Sequence, residues 1–335
     1  MCIYDKRRLL MSTIKDIADE VGISKAAVSR ILNHKGSFSQ ETILKVERAA
    51  KRLNYVSRNE MVEGEEESKT IAAIFPDKGI YFSILTTLLE KACFNYGYNL
   101  LLCSSQYDNL ETIEFMSFLR KKHVAGILFG SISYDQEFFK ENSIPIVSIG
   151  HPLSEKIPFV HSDNFASGRI AAKHLLGRGT KEFLYISNSY DGLKEDERYL
   201  GYCEELEKAG CTPWPYILKN NSINYDGINA SEIITQMILE HPHADGLFAE
   251  SQTLAMECVQ AYLNLGYKIP QDIKIIGYGN SLLSRYSNPT LSLVKENTRE
   301  IAFEAVSTLA DLIENGKTKN MDIKVPVSIE HHQSS

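Results

Sequence analysis

Lys25, Ala26, Ser29 and Arg30 bring together, within six residues, side chains that can read the edge of a DNA base pair. An arginine can bridge guanine O6 and N7 with two hydrogen bonds, and a small side chain can sit against a thymine methyl. No comparable set points to bond-making chemistry. The sequence has no G-x-x-x-x-G-K-[ST], no H-E-x-x-H and no G-x-S-x-G. Gly277-Tyr278-Gly279 lacks the further glycine and the following helix start of a dinucleotide loop. His241-Pro242-His243 and His331-His332 have no acidic or cysteine partner at ligand spacing, so surface histidines are expected, with no metal and no cofactor. The six cysteines, Cys2, Cys93, Cys103, Cys203, Cys211 and Cys258, lie far apart without a C-x-x-C pair. Buried thiols in a reducing cytoplasm fit them better than a zinc site.

A reading surface needs elements to present it. Ile14, Ile17, Ala18 and Val21 fall at helical spacing, and Gly22 marks a stop. Ser24 is a natural N-cap for a second helix with Ala27, Val28, Ile31 and Leu32 inward and Lys25, Ala26, Ser29 and Arg30 outward. Asn33 and Gly36 end it, and Ser39 caps a third helix striped by Ile43, Val46, Ala50 and Leu53. An α-helix fits the width of the major groove. On pattern alone, a plain helical bundle with a polar face fits these residues equally well.

The chain has 335 residues with 43% apolar and 24% charged side chains, the proportions of an ordinary globular protein of two or three domains. No apolar run approaches the roughly 20 residues of a membrane helix. Lys6, Arg7 and Arg8 precede only three apolar residues, too few for an export signal, and Met11 is an alternative start. The net charge of −7 is uneven: residues 1–60 hold twelve Lys/Arg against seven Asp/Glu, a balance of +5, which leaves −12 for the remainder. A basic head on an acidic body suits a molecule whose head alone meets phosphate.

From Thr70 onward, short apolar runs alternate with amphipathic stretches. Strands are expected at 71–75, 99–103, 126–129 and 146–149, then at 183–187, 216–218, 246–249, 274–277 and 323–329. Helices are expected at 83–96, 110–121, 136–141, 198–209, 230–239 and 255–265. Two doubly wound α/β lobes with a cleft between them follow, the arrangement of periplasmic sugar-binding proteins. The expected domains are a helix-turn-helix head at 11–58, an acidic linker at 59–69 and a two-lobed body at 70–335.

The head run Thr13-Ile14-Lys15-Asp16-Ile17-Ala18, then Val21-Gly22-Ile23-Ser24, then Ala27-Val28-Ser29-Arg30-Ile31-Leu32-Asn33 closely resembles the lactose-repressor/galactose-repressor (LacI/GalR) family. Ser39, Thr42, Val46, Ala49, Leu53 and Tyr55 continue the likeness. In the body, Ser162-Asp163-Asn164, Gly168, Ala171-Ala172, His174-Leu175-Leu176, Arg198-x-x-Gly201-Tyr202, Pro270-x-Asp272-Ile273, Ile276-Gly277-Tyr278, Pro289, Leu291 and Ser292 carry it on. The resemblance implies a three-helix helix-turn-helix head joined to a two-lobed, doubly wound α/β sensor of the type I periplasmic-binding-protein-like fold. It implies base reading by Lys25, Ala26 and Arg30, and phosphate contacts from Thr13, Ser24, Ser29, Asn33, Ser39, Thr42 and Tyr55. That division of labour has a physical sense, because short hydroxyls position a helix while longer side chains specify sequence.

The resemblance also places effector contacts at Asp163 and Arg198 and an aromatic at Phe82. A sugar needs planar donors and acceptors plus an aromatic face for its C–H side, which fits those types. The site departs from the family at two places: Ser251-Gln252 stands where Asn-Asp is frequent, and Gly279 where an aspartate is common, with Asn280 beside it as a substitute acceptor. The linker departs too. Met61 and Gly64 occupy the alanine and leucine positions of the family's hinge helix, and Glu60, Glu63, Glu65, Glu66 and Glu67 surround them. Gly64 costs a helix about 1 kcal/mol relative to alanine. The function implied is a cytoplasmic, non-enzymatic repressor of carbohydrate genes that binds double-stranded operator DNA as a homodimer, away from any membrane, with release on binding a sugar or sugar phosphate. No leucine heptads follow residues 323–329, which favours a dimer over a tail-mediated tetramer. The rival readings are a stand-alone sugar receptor and an α/β enzyme acting on a sugar.

Overall fold

The computed structural model describes residues 13–32, 36, 38–53, 69–75, 80–104, 118–130, 144–188, 193–218, 228–280 and 284–335. Met11, Asn33, Tyr55, the linker up to residue 68, residues 110–117 of the helix expected at 110–121, and the helix expected at 136–141 lie outside them. The chain divides into two compact units, Met1–Ser68 and Lys69–Ser335.

The first unit contains α1 (Ile14–Val21), α2 (Lys25–Leu32) and α3 (Gln40–Arg52). Thr13 starts α1: its backbone N–H and its hydroxyl both donate to the Asp16 carboxylate, at 2.6 and 2.7 Å. Gly22 ends α1 with φ of 73°, a left-handed conformation that glycine adopts without a Cβ penalty, and its N–H returns to the Ala18 carbonyl at 2.9 Å. Ile17, Ala18, Val28, Ile31, Val46 and Ala49 are buried together, so each helix contributes two residues to one small core. An Arg52–Glu20 ion pair joins the end of α3 to α1.

The second unit is two six-stranded sheets. In the first lobe the strands run in the order β11 (Asp322–Val325), β5 (Phe159–Ser162), β4 (Ile146–Ile149), β3 (Gly126–Phe129), β1 (Thr70–Phe75) and β2 (Asn99–Ser104), all parallel. The second lobe has the order β12 (Ser328–Glu330), β10 (Ser292–Lys295), β9 (Lys274–Gly279), β8 (Gly246–Ala249), β6 (Phe183–Ser187) and β7 (Trp214–Ile217), parallel except for the antiparallel β10–β12 pair. Both faces of each sheet are covered, which explains why the strands read as near-continuous apolar runs. On one face of the first sheet, Leu85, Leu89 and Cys93 of α4 (Ile80–Asn95) pack with Ile301, Ala305 and Leu309 of α9 (Thr298–Asn315). In the second lobe, α7 (Ile228–Glu240) and α8 (Gln252–Asn264) cover one face through Ile234, Ile238, Leu254 and Cys258. The other face is covered by α5 (Asn164–Gly177) and α6 (Glu197–Glu207) through Ala171, Leu175, Tyr202 and Leu206.

Among the described residues, three crossovers join the lobes: β5 to α5, β10 to α9, and β11 to β12. The last corrects the expected single strand at 323–329. That segment is two strands in different sheets, with Pro326 between them, a residue that cannot donate to a ladder. The Asp163 N–H donates to the Val325 carbonyl at 2.9 Å, tying two crossovers together. β5, β10, α5 and α9 are further elements beyond those expected from periodicity.

Candidate functional site

In the head, Lys25, Ala26 and Arg30 are exposed on α2, and Ser29 is half-buried. The four span an arc of about 140° at 3.6 residues per turn, one continuous stripe. The hydroxyl-bearing residues sit at helix starts. The Ser24 hydroxyl accepts from the Ala27 N–H at 3.2 Å and the Ser39 hydroxyl from the Thr42 N–H at 3.2 Å, with the Ser39 and Thr42 hydroxyls 2.7 Å apart. Thr13, Ser24 and Ser39 thus mark three helix N-termini, the positive ends that attract phosphate. Lys25 opens α2 and Arg30 lies in its last turn.

In the body, the chemistry gathers just past the C-terminal ends of the strands, where open α/β sheets bind ligands. Asp163 follows β5, Ser187 ends β6, Glu250 follows β8, Gly279 ends β9 and Glu296 follows β10. Arg198, in the first turn of α6, reaches across them. Its Nε donates to Asn164 Oδ1 at 3.0 Å, its Nη1 donates to the Glu250 carbonyl at 3.1 Å, and its guanidinium lies 3.8 Å from the Tyr278 ring centre. Burial works against the Arg198 charge, but Tyr278, Glu250, Tyr185 and Asp196 outweigh it and hold the guanidinium pKa above its ordinary value.

Acids surround this cation. Glu250 accepts from the Ser187 hydroxyl at 2.6 Å and from the Asn188 N–H at 2.7 Å. Burial raises its pKa, and the like charge of Asp196 adds to the shift against the opposing effects of Arg198 and Ser187. Asp196 accepts from the Tyr185 hydroxyl at 2.6 Å and from the N–H groups of Arg198 and Tyr199 at 3.1 and 3.2 Å. Glu296 accepts from the Tyr278 and Ser162 hydroxyls at 2.7 and 3.1 Å.

Of the residues expected from the sequence, Arg198 bonds to Asn164, the chain neighbour of Asp163. Asp163 caps α5, accepting from the Ala166 N–H at 2.9 Å. Ser251 caps α8, accepting from the Leu254 N–H at 3.2 Å. Phe82 is half-buried in the first lobe, its ring 5.5 Å from Phe75 and 5.1 Å from Tyr81. Asn280 follows directly on β9, half-buried. Gly279 adopts φ of 148°, a conformation that favours glycine, so its departure from aspartate is a backbone change as well as a chemical one. Sequence reading missed Tyr81, Asp196, Glu250, Tyr278 and Glu296. A usable signal existed for Glu250 and Glu296, each the first acid after an apolar strand.

Residues 13–58 match the family described as bacterial regulatory proteins, lacI family, and residues 172–335 match a periplasmic binding protein-like domain. The chain is 30% identical to the sucrose operon repressor of Streptococcus mutans over 96% of this chain and 98% of that protein. It is 28% identical to the ribose operon repressor of Halalkalibacterium halodurans over 95% of this chain and 96% of that one. Among solved structures, a complex of the transcriptional regulator CelR with cellobiose superposes with a TM-score of 0.71 at 23% identity, covering 97% of this chain and all of that one. Head and body together therefore place the chain in the lacI family of bacterial regulatory proteins, DNA-binding repressors under the control of a small-molecule effector.

Proposed function

We propose that this protein represses carbohydrate-utilisation genes in the cytoplasm, as a homodimer that sets two heads on a pseudo-palindromic operator and leaves it when a sugar enters between the lobes. The domains are the head at 11–58, the linker at 59–69 and the body at 70–335. Lys25, Ala26 and Arg30 read bases, and Thr13, Ser24, Ser29, Asn33, Ser39, Thr42 and Tyr55 grip phosphates. Asp163, Arg198, Ser251 and Asn280 supply polar contacts to the sugar, and Phe82 an apolar face. The observation that carries the effector reading is the Arg198 guanidinium, stacked on Tyr278 and hydrogen-bonded to Asn164 and Glu250 where strands of both lobes end. A ligand bound there changes the angle between the lobes at the crossovers and so biases operator affinity.

The test begins with a duplex selected from a random pool by the full chain, followed by fluorescence anisotropy at several salt concentrations. Arg30→Ala is expected to lose about 1–3 kcal/mol of binding and to relax base choice at one position. Unchanged base preference in that variant removes α2 as the reading helix. A thermal-shift screen of sugars then identifies the ligand, since one that binds only the native state raises the melting temperature. That sugar is expected to lower operator affinity.

A further inference from the structure

Glu296 occupies a singular place between the lobes. It is 8% exposed, and its Oε2 accepts from the Ser162 hydroxyl of β5 and the Tyr278 hydroxyl of β9. Its Oε1 accepts from the Thr298 hydroxyl at 3.1 Å, and the Tyr81 hydroxyl also bonds to its carboxylate. Ser162 and Tyr81 belong to the first lobe and Tyr278 to the second, so one carboxylate is shared by hydroxyls from both.

The charges around it are lopsided. Among the described residues of this network, Asp163, Asp196, Glu250 and Glu296 stand against Arg198 alone. With Glu250 protonated, acids still outnumber the cation. The helix N-termini that face the region would ordinarily invite an anion. Here the chain satisfies them itself: Asp163 takes the Ala166 N–H of α5, Asp196 takes the Arg198 and Tyr199 N–H groups of α6, Ser251 takes the Leu254 N–H of α8, and Asn297 takes the Glu300 N–H of α9. Two of those four caps are carboxylates, which cancel the positive helix end rather than leave it for a ligand. Asp196, Glu250 and Glu296 are acceptors already engaged by hydroxyl groups, so a ligand hydroxyl can replace a protein hydroxyl without change of charge.

We infer that the interlobe site takes an uncharged polyhydroxy ligand and excludes its phosphorylated form, and that the lobe-bridging Glu296 carboxylate sets this choice. The inference rests on the carbohydrate reading above and narrows it. A phosphate dianion brought into this network meets carboxylates that, among the described residues, outnumber the one guanidinium, whereas a sugar hydroxyl donates directly to Glu296.

Titration calorimetry on the full chain tests it with ribose, its 5-O-methyl ether and ribose 5-phosphate, and with sucrose, its 6-O-methyl ether and sucrose 6-phosphate. Ether and phosphate block the same hydroxyl and differ in charge. The expected result is binding of a free sugar and its ether, with the phosphate at least a hundredfold weaker. In Glu296→Gln, whose amide keeps an acceptor oxygen but lacks the charge, the gap between ether and phosphate is expected to narrow at least tenfold. A phosphate that binds as well as the ether overturns the inference and leaves the carbohydrate reading standing. Loss of ether and phosphate alike shows exclusion by size and also overturns it, a result read on the unaltered protein whether or not the variant folds. An unchanged gap in a folded Glu296→Gln removes Glu296 as the determinant. If neither series binds and the thermal-shift screen finds no other sugar on which to build one, the carbohydrate reading fails, and this one with it.

Discussion

Asp163 is asked to do two things at once. Its carboxylate accepts the Ala166 N–H at the start of α5, and the proposed function also gives it a contact with the effector. The two duties separate by substitution, because asparagine caps a helix about as well as aspartate while alanine does not. Asp163→Ala is expected to lose about 1 kcal/mol of stability in urea denaturation, and Asp163→Asn to stay near the unaltered protein. Both are expected to lose the effector response in an operator-release assay, because both lose the charge. A normal response in Asp163→Asn would reduce Asp163 to a cap. Residue types near this site were legible in the sequence, and their partners were not. Arg198 has the look of a ligand-binding arginine, but nothing local foretells that Glu250, 52 positions away, supplies its carbonyl acceptor.

At the scale of elements, the packing of α5 against α6 decides where these side chains point. Gly168 and Gly201 sit at the crossing, where the backbones touch: a Cβ on Gly168 would strike the Arg198 carbonyl oxygen, and one on Gly201 the Phe165 carbonyl oxygen. Backbone cannot swing aside as a flexible side chain can. Gly168→Ala is therefore expected to cost about 1–3 kcal/mol or more through overpacking and to push the start of α6 away from α5. Because Arg198 and its Asn164 partner straddle that contact, effector affinity should fall at least tenfold, while operator affinity, read by anisotropy, stays near the unaltered value. Both glycines were visible in the sequence as matches to the family. Their physical reason, two helices in backbone contact, required the fold. Conversely, the helices of the head were legible almost to the residue, since caps such as Thr13 and Ser24 and the stop at Gly22 act through neighbours three or four positions away.

For the molecule as a whole, the C-terminal residues act as a clasp on the second lobe. Ser334 is buried, and its hydroxyl and backbone carbonyl bond to Ile275 at 2.6 and 2.8 Å. The Ser335 hydroxyl lies 2.7 Å from Nε2 of His174, whose ring stands 4.8 Å from that of His331. Burial lowers the His174 pKa to about 4, with His331 and Arg178 adding to the shift. In the unfolded chain a histidine titrates near about 6.5, so between that pH and about 4 the unfolded state holds a proton that the folded state does not. Stability present above pH 6.5 is therefore lost as pH falls through that window, by up to about 3 kcal/mol from this group. Urea midpoints from pH 7.5 to 4 measure the slope. His174→Gln is expected to flatten it, and an equal slope in that variant would assign the acid sensitivity elsewhere.

Local physics is enough to read a basic three-helix head, an acidic α/β body and most strands from the residues alone, because a strand covered on both faces must be a continuous apolar run. The sequence also carried the family, through motifs spread from Thr13 to Ser292. The tertiary structure alone decided which strands share a sheet. Residues 323–329 were expected as one strand and became β11 in one lobe and β12 in the other, because strand pairing is a long-range choice. It alone brought Ser162 and Tyr278, more than a hundred positions apart, onto the single carboxylate of Glu296. The identity of a side chain is local, but the charge balance of a binding site is a sum over strand ends, and only the assembled sheets place those ends side by side.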